Sequence, residues 1–250
     1  MIKYKALITD MDGTLVPLDR DGIPTPKVAE AVKKAKEKIH VGIATGRPPY
    51  LVLPIAHSLE LTGPAIVQGG ARVIDLKDGS TLYEQAMLRE DCEYILQISK
   101  EENVPLIIDS GENELTFNDD TLHLKALGLF SVAITKEAAE RMQKRLIGHP
   151  TVITHIVESW TKGMHQILLS HTAATKQHGI YEAAKILTID PSEIIGVGDG
   201  GNDFPLLMAC GLKVAMGNAG DDLKAIADYI APSVHEDGLA HVIEKFILNK

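Results

Sequence analysis

Short runs rich in aliphatic and β-branched residues recur along the chain: 5–10 (KALITD), 39–45 (IHVGIAT), 64–68 (PAIVQ), 193–199 (EIIGVGD), 212–216 (LKVAM) and 229–231 (YIA). Their apolar residues sit side by side, as in strands buried on both faces. Between them, 26–38, 48–60, 175–187, 203–210 and 220–227 carry apolar residues at helical spacing. This alternation predicts βαβ units and a doubly wound parallel sheet, a Rossmann-like α/β core.

The middle of the chain breaks the rhythm. A helical stretch (REDCEYILQISKEEN) precedes two short strand patterns (PLIID, ELTFND). A second helix (KEAAERMQKRL) precedes two longer strands (TVITHIVES, MHQILLS). Adjacent strands beside helices predict a small α+β domain with an antiparallel sheet. The expected organisation is a core of 1–81 and 172–250 with an inserted domain at 82–171.

Composition narrows the function. A chain of 250 residues has room for two such domains, and 45% hydrophobic residues suit a globular core. The formal charge of −9 argues against nucleic-acid or anionic-membrane partners, which need a basic face. An anionic small substrate remains compatible if cations gather locally. Two distant cysteines give no zinc or disulfide framework. The N-terminus lacks a signal-peptide pattern and no apolar run reaches membrane-spanning length, so a cytoplasmic location is expected. Oligomeric state leaves no mark in the sequence.

Ligands of open α/β sheets bind at the carboxyl ends of the strands, so those ends define the search. The first strand runs into Asp10-Met11-Asp12-Gly13. In extended chain Asp10 and Asp12 face one way and Met11 the other. Two carboxylates so close need a counter-charge, and Mg2+ takes such oxygen ligands while keeping positions for phosphate. An EF-hand is excluded because Gly13 falls at the fourth position, not the sixth, and follows a strand. The nearby Asp19 and Asp21 read as a solvated loop.

The second strand ends in Ala-Thr45-Gly46-Arg47-Pro-Pro. A hydroxyl, backbone N–H groups and a guanidinium there suit a phosphate, while Thr45 as a simple helix cap is the plain alternative. The string GVGDGGND at 196–203 contains a literal GxGxxG. Asp199 and Asp203 would place negative charge where a dinucleotide pyrophosphate must lie, so a metal suits this loop better. Asp199 reads as a direct ligand, and Asn202 and Asp203 as ligand, support or lysine partner; Asp203 also suits the N-cap of the next helix. Lys176 is placed to cancel phosphate charge and that of Asp10, with Lys185 as its competitor.

Taken in order, DMDGTL, ATGR, the Lys176 segment and GDGGND…AMGNA…EDGLA resemble the haloacid dehalogenase (HAD) superfamily. The nearest branch is the Cof-like phosphatases, whose α/β cap is inserted between the second and third motifs. The resemblance spans about residues 5–78 and 172–245; the cap matches only in position and rough pattern. It implies two-step phosphoryl transfer, with Asp10 as nucleophile and Asp12 as general acid, then base. It implies Mg2+ on Asp10, the Asp12 backbone carbonyl and Asp199, with Asp203 nearby, and phosphate held by Thr45 and Lys176. It also implies a cap that closes over the site and chooses the substrate. Gly69-Gly70-Ala71 stands where relatives usually carry Asn-Gly-Ala, Gln177 replaces a glycine after the lysine, and Phe204-Pro205-Leu206 replaces a segment where Ile and Met are commoner.

The expected activity is hydrolysis of small phosphorylated metabolites, sugar phosphates foremost. A phosphomutase, which would return the phosphoryl group to the sugar, and an inactive phosphate-ligand sensor are the alternatives. Glu158, Trp160, Lys162 and His165, near the last strand pair of the insertion, are candidates for substrate contact, and each is equally compatible with an ordinary surface or core role.

Overall fold

A computed structural model describes residues 3–17, 22–159 and 161–249. The segment containing Asp19 and Asp21, and Trp160, lie outside the described residues. In chain order the elements begin with β1 (Ala6–Thr9), α1 (Pro26–Ala35), β2 (His40–Ile43), α2 (Pro49–Ser58), β3 (Pro64–Val67), β4 (Arg72–Asp75) and β5 (Thr81–Glu84). There follow α3 (Arg89–Glu102), β6 (Ile107–Asp109), β7 (Glu114–Thr116), β8 (Gly128–Phe130), α4 (Lys136–Leu146), β9 (Val152–Glu158) and β10 (His165–His171). The chain then runs through α5 (Lys176–Leu187), β11 (Ile194–Gly198), α6 (Phe204–Ala209), β12 (Leu212–Ala215), α7 (Asp221–Ile226), β13 (Tyr229–Ile230) and α8 (Gly238–Ile243). A π-helical turn, Glu244–Leu248, extends α8.

The chain divides into two compact units, Met1–Tyr83 with Thr175–Lys250, and Glu84–Ala174. In the first, β13-β12-β11-β1-β2 form a wholly parallel sheet. Alternate residues of β1 point to opposite layers. Leu7 packs with Val28, Val32, Val242 and Ile243 of α1 and α8, while Ala6 and Ile8 pack with Ile180, Leu206 and Leu223 of α5, α6 and α7. Burial on both faces is why these strands read as continuous apolar runs.

The segment at 64–68 differs from its expected place in the parallel sheet. β3 meets β2 through a single parallel bridge, Ala44 to Ile66, and otherwise pairs antiparallel with β4. The cause is the turn at Gln68–Gly70, which reverses the chain after only four strand residues. In the second unit the antiparallel sheet runs β7-β6-β8-β10-β9. α3 and α4 cover one face, with Ile95, Ile98, Ala139 and Met142 against Ile108, Leu129, Ile167 and Leu169. β4, β5, β8 and α8 are elements that the sequence patterns above did not mark. Among the described residues no helix is long and apolar enough to cross a membrane.

Thr25 ties the start of α1 to a distant loop. Its Oγ1 accepts the Val28 N–H at 3.3 Å and donates to Asp237 Oδ1 at 2.5 Å. Thr25→Ala removes the cap and the loop tie together. It is expected to cost about 1–2 kcal/mol in urea unfolding, at unchanged slope.

Candidate active site

Three neighbouring strands deliver the central residues to one edge of the parallel sheet. Asp10 directly follows β1 and Asp199 follows β11, while Thr45 lies two residues beyond β2. The Asp10 N–H donates to Val197 O at 2.8 Å, so the sheet ladder still fixes its backbone. Beyond Asp10 the chain stops being extended. The N–H groups of Leu15 and Val16 both turn back onto Met11 O, which carries the Met11 side chain into the core. Asp12 therefore belongs to a turn, where the side-chain alternation of a strand no longer holds.

Lys176 opens α5 and is 2% exposed; its ammonium donates to Asp10 Oδ1 and to Asp203 Oδ1, each at 2.6 Å. Lys185, its competitor, is exposed and bonds to Glu182. Asp203 is fully buried, and its Oδ2 accepts the backbone N–H groups of Asp199 (3.0 Å) and Gly200 (2.9 Å). It therefore fastens its own loop and the lysine, and its side chain makes no cap to α6. A Cβ on Gly198 would stand 2.5 Å from Asp203 Cγ, and one on Gly196 would stand 2.8 Å from Cys210 Sγ. The GxGxxG string thus makes room for an aspartate and a cysteine. Asn202 is exposed at the same loop.

Two residues outside the sequence expectations hold Asp199. Thr14 Oγ1 donates to its Oδ1 at 2.7 Å, and Asn218 Nδ2 donates to its Oδ2 at 3.1 Å and to Gly13 O at 2.9 Å. The amide of Asn218 is oriented in turn by accepting the Val234 N–H at 2.9 Å. Gly13 has a φ of 79°, and a Cβ there would lie 2.3 Å from Asp199 Oδ2. Thr14 and Asn218 both stand inside the strings DMDGTL and AMGNA, so the signal was present although no single residue type announced it.

Asp10, Asp199 and Asp203 each offer a carboxylate oxygen within 4.8 Å of the others. Three carboxylates and one ammonium sum to −2 when all are charged. That imbalance and the all-oxygen donor set fit a divalent cation. Burial and the neighbouring charges both appear in the titration of the groups. Burial, with the charge of Asp203, raises the Asp10 pKa well above the ordinary range against the pull of Lys176. Burial pushes Asp199 up to about 6, opposed by the Thr14 hydrogen bond and aided by the charge of Asp203. Burial works to discharge Lys176, but Asp10 and Asp203 outweigh it and its net shift is upward.

Asp12 goes elsewhere. Its carboxylate lies in the fork of Arg47, which donates from Nε to Oδ2 at 2.8 Å and from Nη2 to Oδ1. This pairing leaves the Asp12 carboxylate outside the three-acid cluster and directs the Arg47 guanidinium to Asp12. Thr45 is buried and its Oγ1 accepts the Arg47 N–H at 3.1 Å, while Gly46 is exposed, with open space where a Cβ would stand. Gly69, which replaces the usual asparagine, donates its N–H to Thr45 O at 3.0 Å and likewise has open space where a side chain would stand. In the second unit Glu158 and His165 are cross-strand partners, Glu158 and Lys162 are exposed, and the buried His165 Nδ1 has no hydrogen-bond partner among the described residues.

The chain is similar to known proteins in sequence and fold. Residues 7–127 and 111–243 match the family model of haloacid dehalogenase-like hydrolases. A putative phosphatase of Streptococcus pyogenes is 28% identical over 99% of this chain and 100% of its own length. A phosphoglycolate phosphatase of Methanopyrus kandleri is 30% identical over 96% of each chain. Among solved structures, the subclass IIB sugar phosphatase BT4131 aligns with a TM-score of 0.80 at 26% identity, over 97% of this chain and 98% of that one.

The raised pKa of Asp199 predicts a pH signature in metal-free protein. The folded state holds this proton up to about pH 6, whereas the unfolded chain releases it near about 4. Stability contributed by the protonated group is therefore complete below about pH 4 and lost as pH rises through about 6. Relative to Asp199→Asn, the wild type in chelator is expected to lose up to about 3 kcal/mol across that window. Denaturant melts of both proteins at several pH values check this, and parallel curves would contradict it.

Proposed function

We propose, for a chain that belongs to the haloacid dehalogenase-like hydrolases and is a phosphoric monoester hydrolase, an aspartyl-phosphate mechanism acting on small phosphorylated metabolites, sugar phosphates foremost. The observation that carries the reading is the buried Asp10 carboxylate, fixed by the sheet ladder and by Lys176, beside Asp199 and Asp203. Likeness to a sugar phosphatase and to a phosphoglycolate phosphatase supports the substrate class.

In the first step an Asp10 oxygen attacks phosphorus, the bond to the leaving oxygen breaks, and Asp12 gives that oxygen a proton. In the second, water attacks phosphorus of the aspartyl-phosphate, its proton passes to Asp12, and the bond to Asp10 breaks to release phosphate. Lys176, the Thr45 hydroxyl and the N–H of exposed Gly46 receive the phosphate oxygens, whose charge is redistributed in the transition state. Mg2+ is the cation we assign to the cluster, where Asp10, Asp199 and the Asp12 backbone carbonyl would hold it. Asp203 serves as support: it is fully buried, and its oxygens hold the Lys176 ammonium and the N–H groups of Asp199 and Gly200. Bound there, the ion would neutralise phosphate charge. We assign the unit Glu84–Ala174 as the cap that selects substrate, with Glu158, Lys162 and His165 as its candidate contacts.

Phosphate release from a panel of sugar phosphates and phosphoglycolate tests this. Activity is expected to require Mg2+, to vanish with chelator, and to fall about a thousandfold or more in Asp10→Asn. Turnover that persists in Asp10→Asn would overturn the assignment.

A further inference from the structure

Arg47 is anchored at both ends of its own backbone. Its N–H donates to Thr45 Oγ1 at 3.1 Å, and its carbonyl accepts the Gln68 N–H at 3.1 Å. Gly69 N–H closes the same loop on Thr45 O at 3.0 Å. The loop after β2 and the turn after β3 thus form one hydrogen-bonded platform. From it the Arg47 side chain, only 6% exposed, reaches across 35 positions of sequence to grip both oxygens of Asp12. Asp12 itself stands in the tight turn that follows β1, and its side chain is 30% exposed.

We propose that Arg47 is a positioning residue for the proton-carrying Asp12, a role in place of phosphate binding; the inference rests on the phosphatase reading above. A planar guanidinium offers two parallel donors at fixed spacing and so sets the plane of a carboxylate as well as its place. Asp12 has to hand a proton to one oxygen and take one from another, and misplacement of such a group by about 1 Å can cost about a hundredfold. Each Asp12 oxygen keeps a second lone-pair site for that work while the fork holds the first. The division of labour is then clean. Lys176 serves the nucleophile and Arg47 the proton carrier, each acid with its own cation.

A double-mutant cycle tests the proposal. Initial rates are measured for wild type, Arg47→Ala, Asp12→Asn and the double variant on the best sugar phosphate of the panel, with inorganic phosphate as competitive inhibitor. Arg47→Ala is expected to lower kcat about tenfold to a hundredfold, to leave the inhibition constant of inorganic phosphate within about threefold, and to change kcat less than about twofold when Asp12 is already Asn. Arg47→Lys keeps the charge and most of the volume but loses the fork, so it should follow Arg47→Ala in kcat; it also covers the case in which the alanine variant folds poorly. A tenfold rise in the inhibition constant, multiplicative effects in the cycle, or full activity in Arg47→Lys would overturn the proposal. Turnover by the wild type reports on the phosphatase reading; the interaction between positions 12 and 47 reports on this one.

Discussion

The site depends on one buried cation. Lys176 gives its ammonium to Asp10 and Asp203 with almost no access to solvent. Such a charge is tolerated only with partners at close range, and breaking a buried pair typically costs about 3–5 kcal/mol. Much of the local architecture serves that contact. Thr175 caps α5 so that the helix begins at the lysine, and Gly198 leaves the space that Asp203 fills. Asp203 then carries the interaction on through its second oxygen to the backbone of Asp199 and Gly200. A single ammonium thereby links the ends of β1 and β11.

One ammonium does not balance three carboxylates. Burial, aided by the charge of Asp203, pushes Asp10 and Asp199 toward their protonated forms, while Asp10 and Asp203 hold Lys176 charged. A divalent cation and a phosphate dianion would settle this together, the first against the acids and the second against the cation and the lysine. Asp12 stands apart from the cluster in its own ion pair with Arg47. Two aspartates two residues apart, chemically identical in the unfolded chain, are thus given different surroundings. In the proposed mechanism, that separation would let one act as nucleophile and the other carry protons.

Much of this was visible in the sequence because the relevant signals are local. Continuous apolar runs marked the central strands, and acids or a threonine at their ends marked Asp10, Thr45 and Asp199. What was not visible depends on distance in the chain. The burial of Lys176 arises from where α5 packs, which no helical pattern reports. The Asp12–Arg47 fork joins two motifs that each looked complete alone. Thr14 and Asn218 carry common side chains whose role appears only when Asp199 lies between them.

Everything proposed for the reaction turns on phosphorus passing through the Asp10 carboxylate. Mass spectrometry of the protein, acid-quenched during turnover of a sugar phosphate and digested, tests this most directly. The expected result is a mass gain of one phosphoryl group on the peptide spanning Asp10, enriched in Asp12→Asn, where the second transfer is slowed, and absent in Asp10→Asn. Phosphate release in the pre-steady state with no adduct on that peptide, or an adduct that survives in Asp10→Asn, would contradict it.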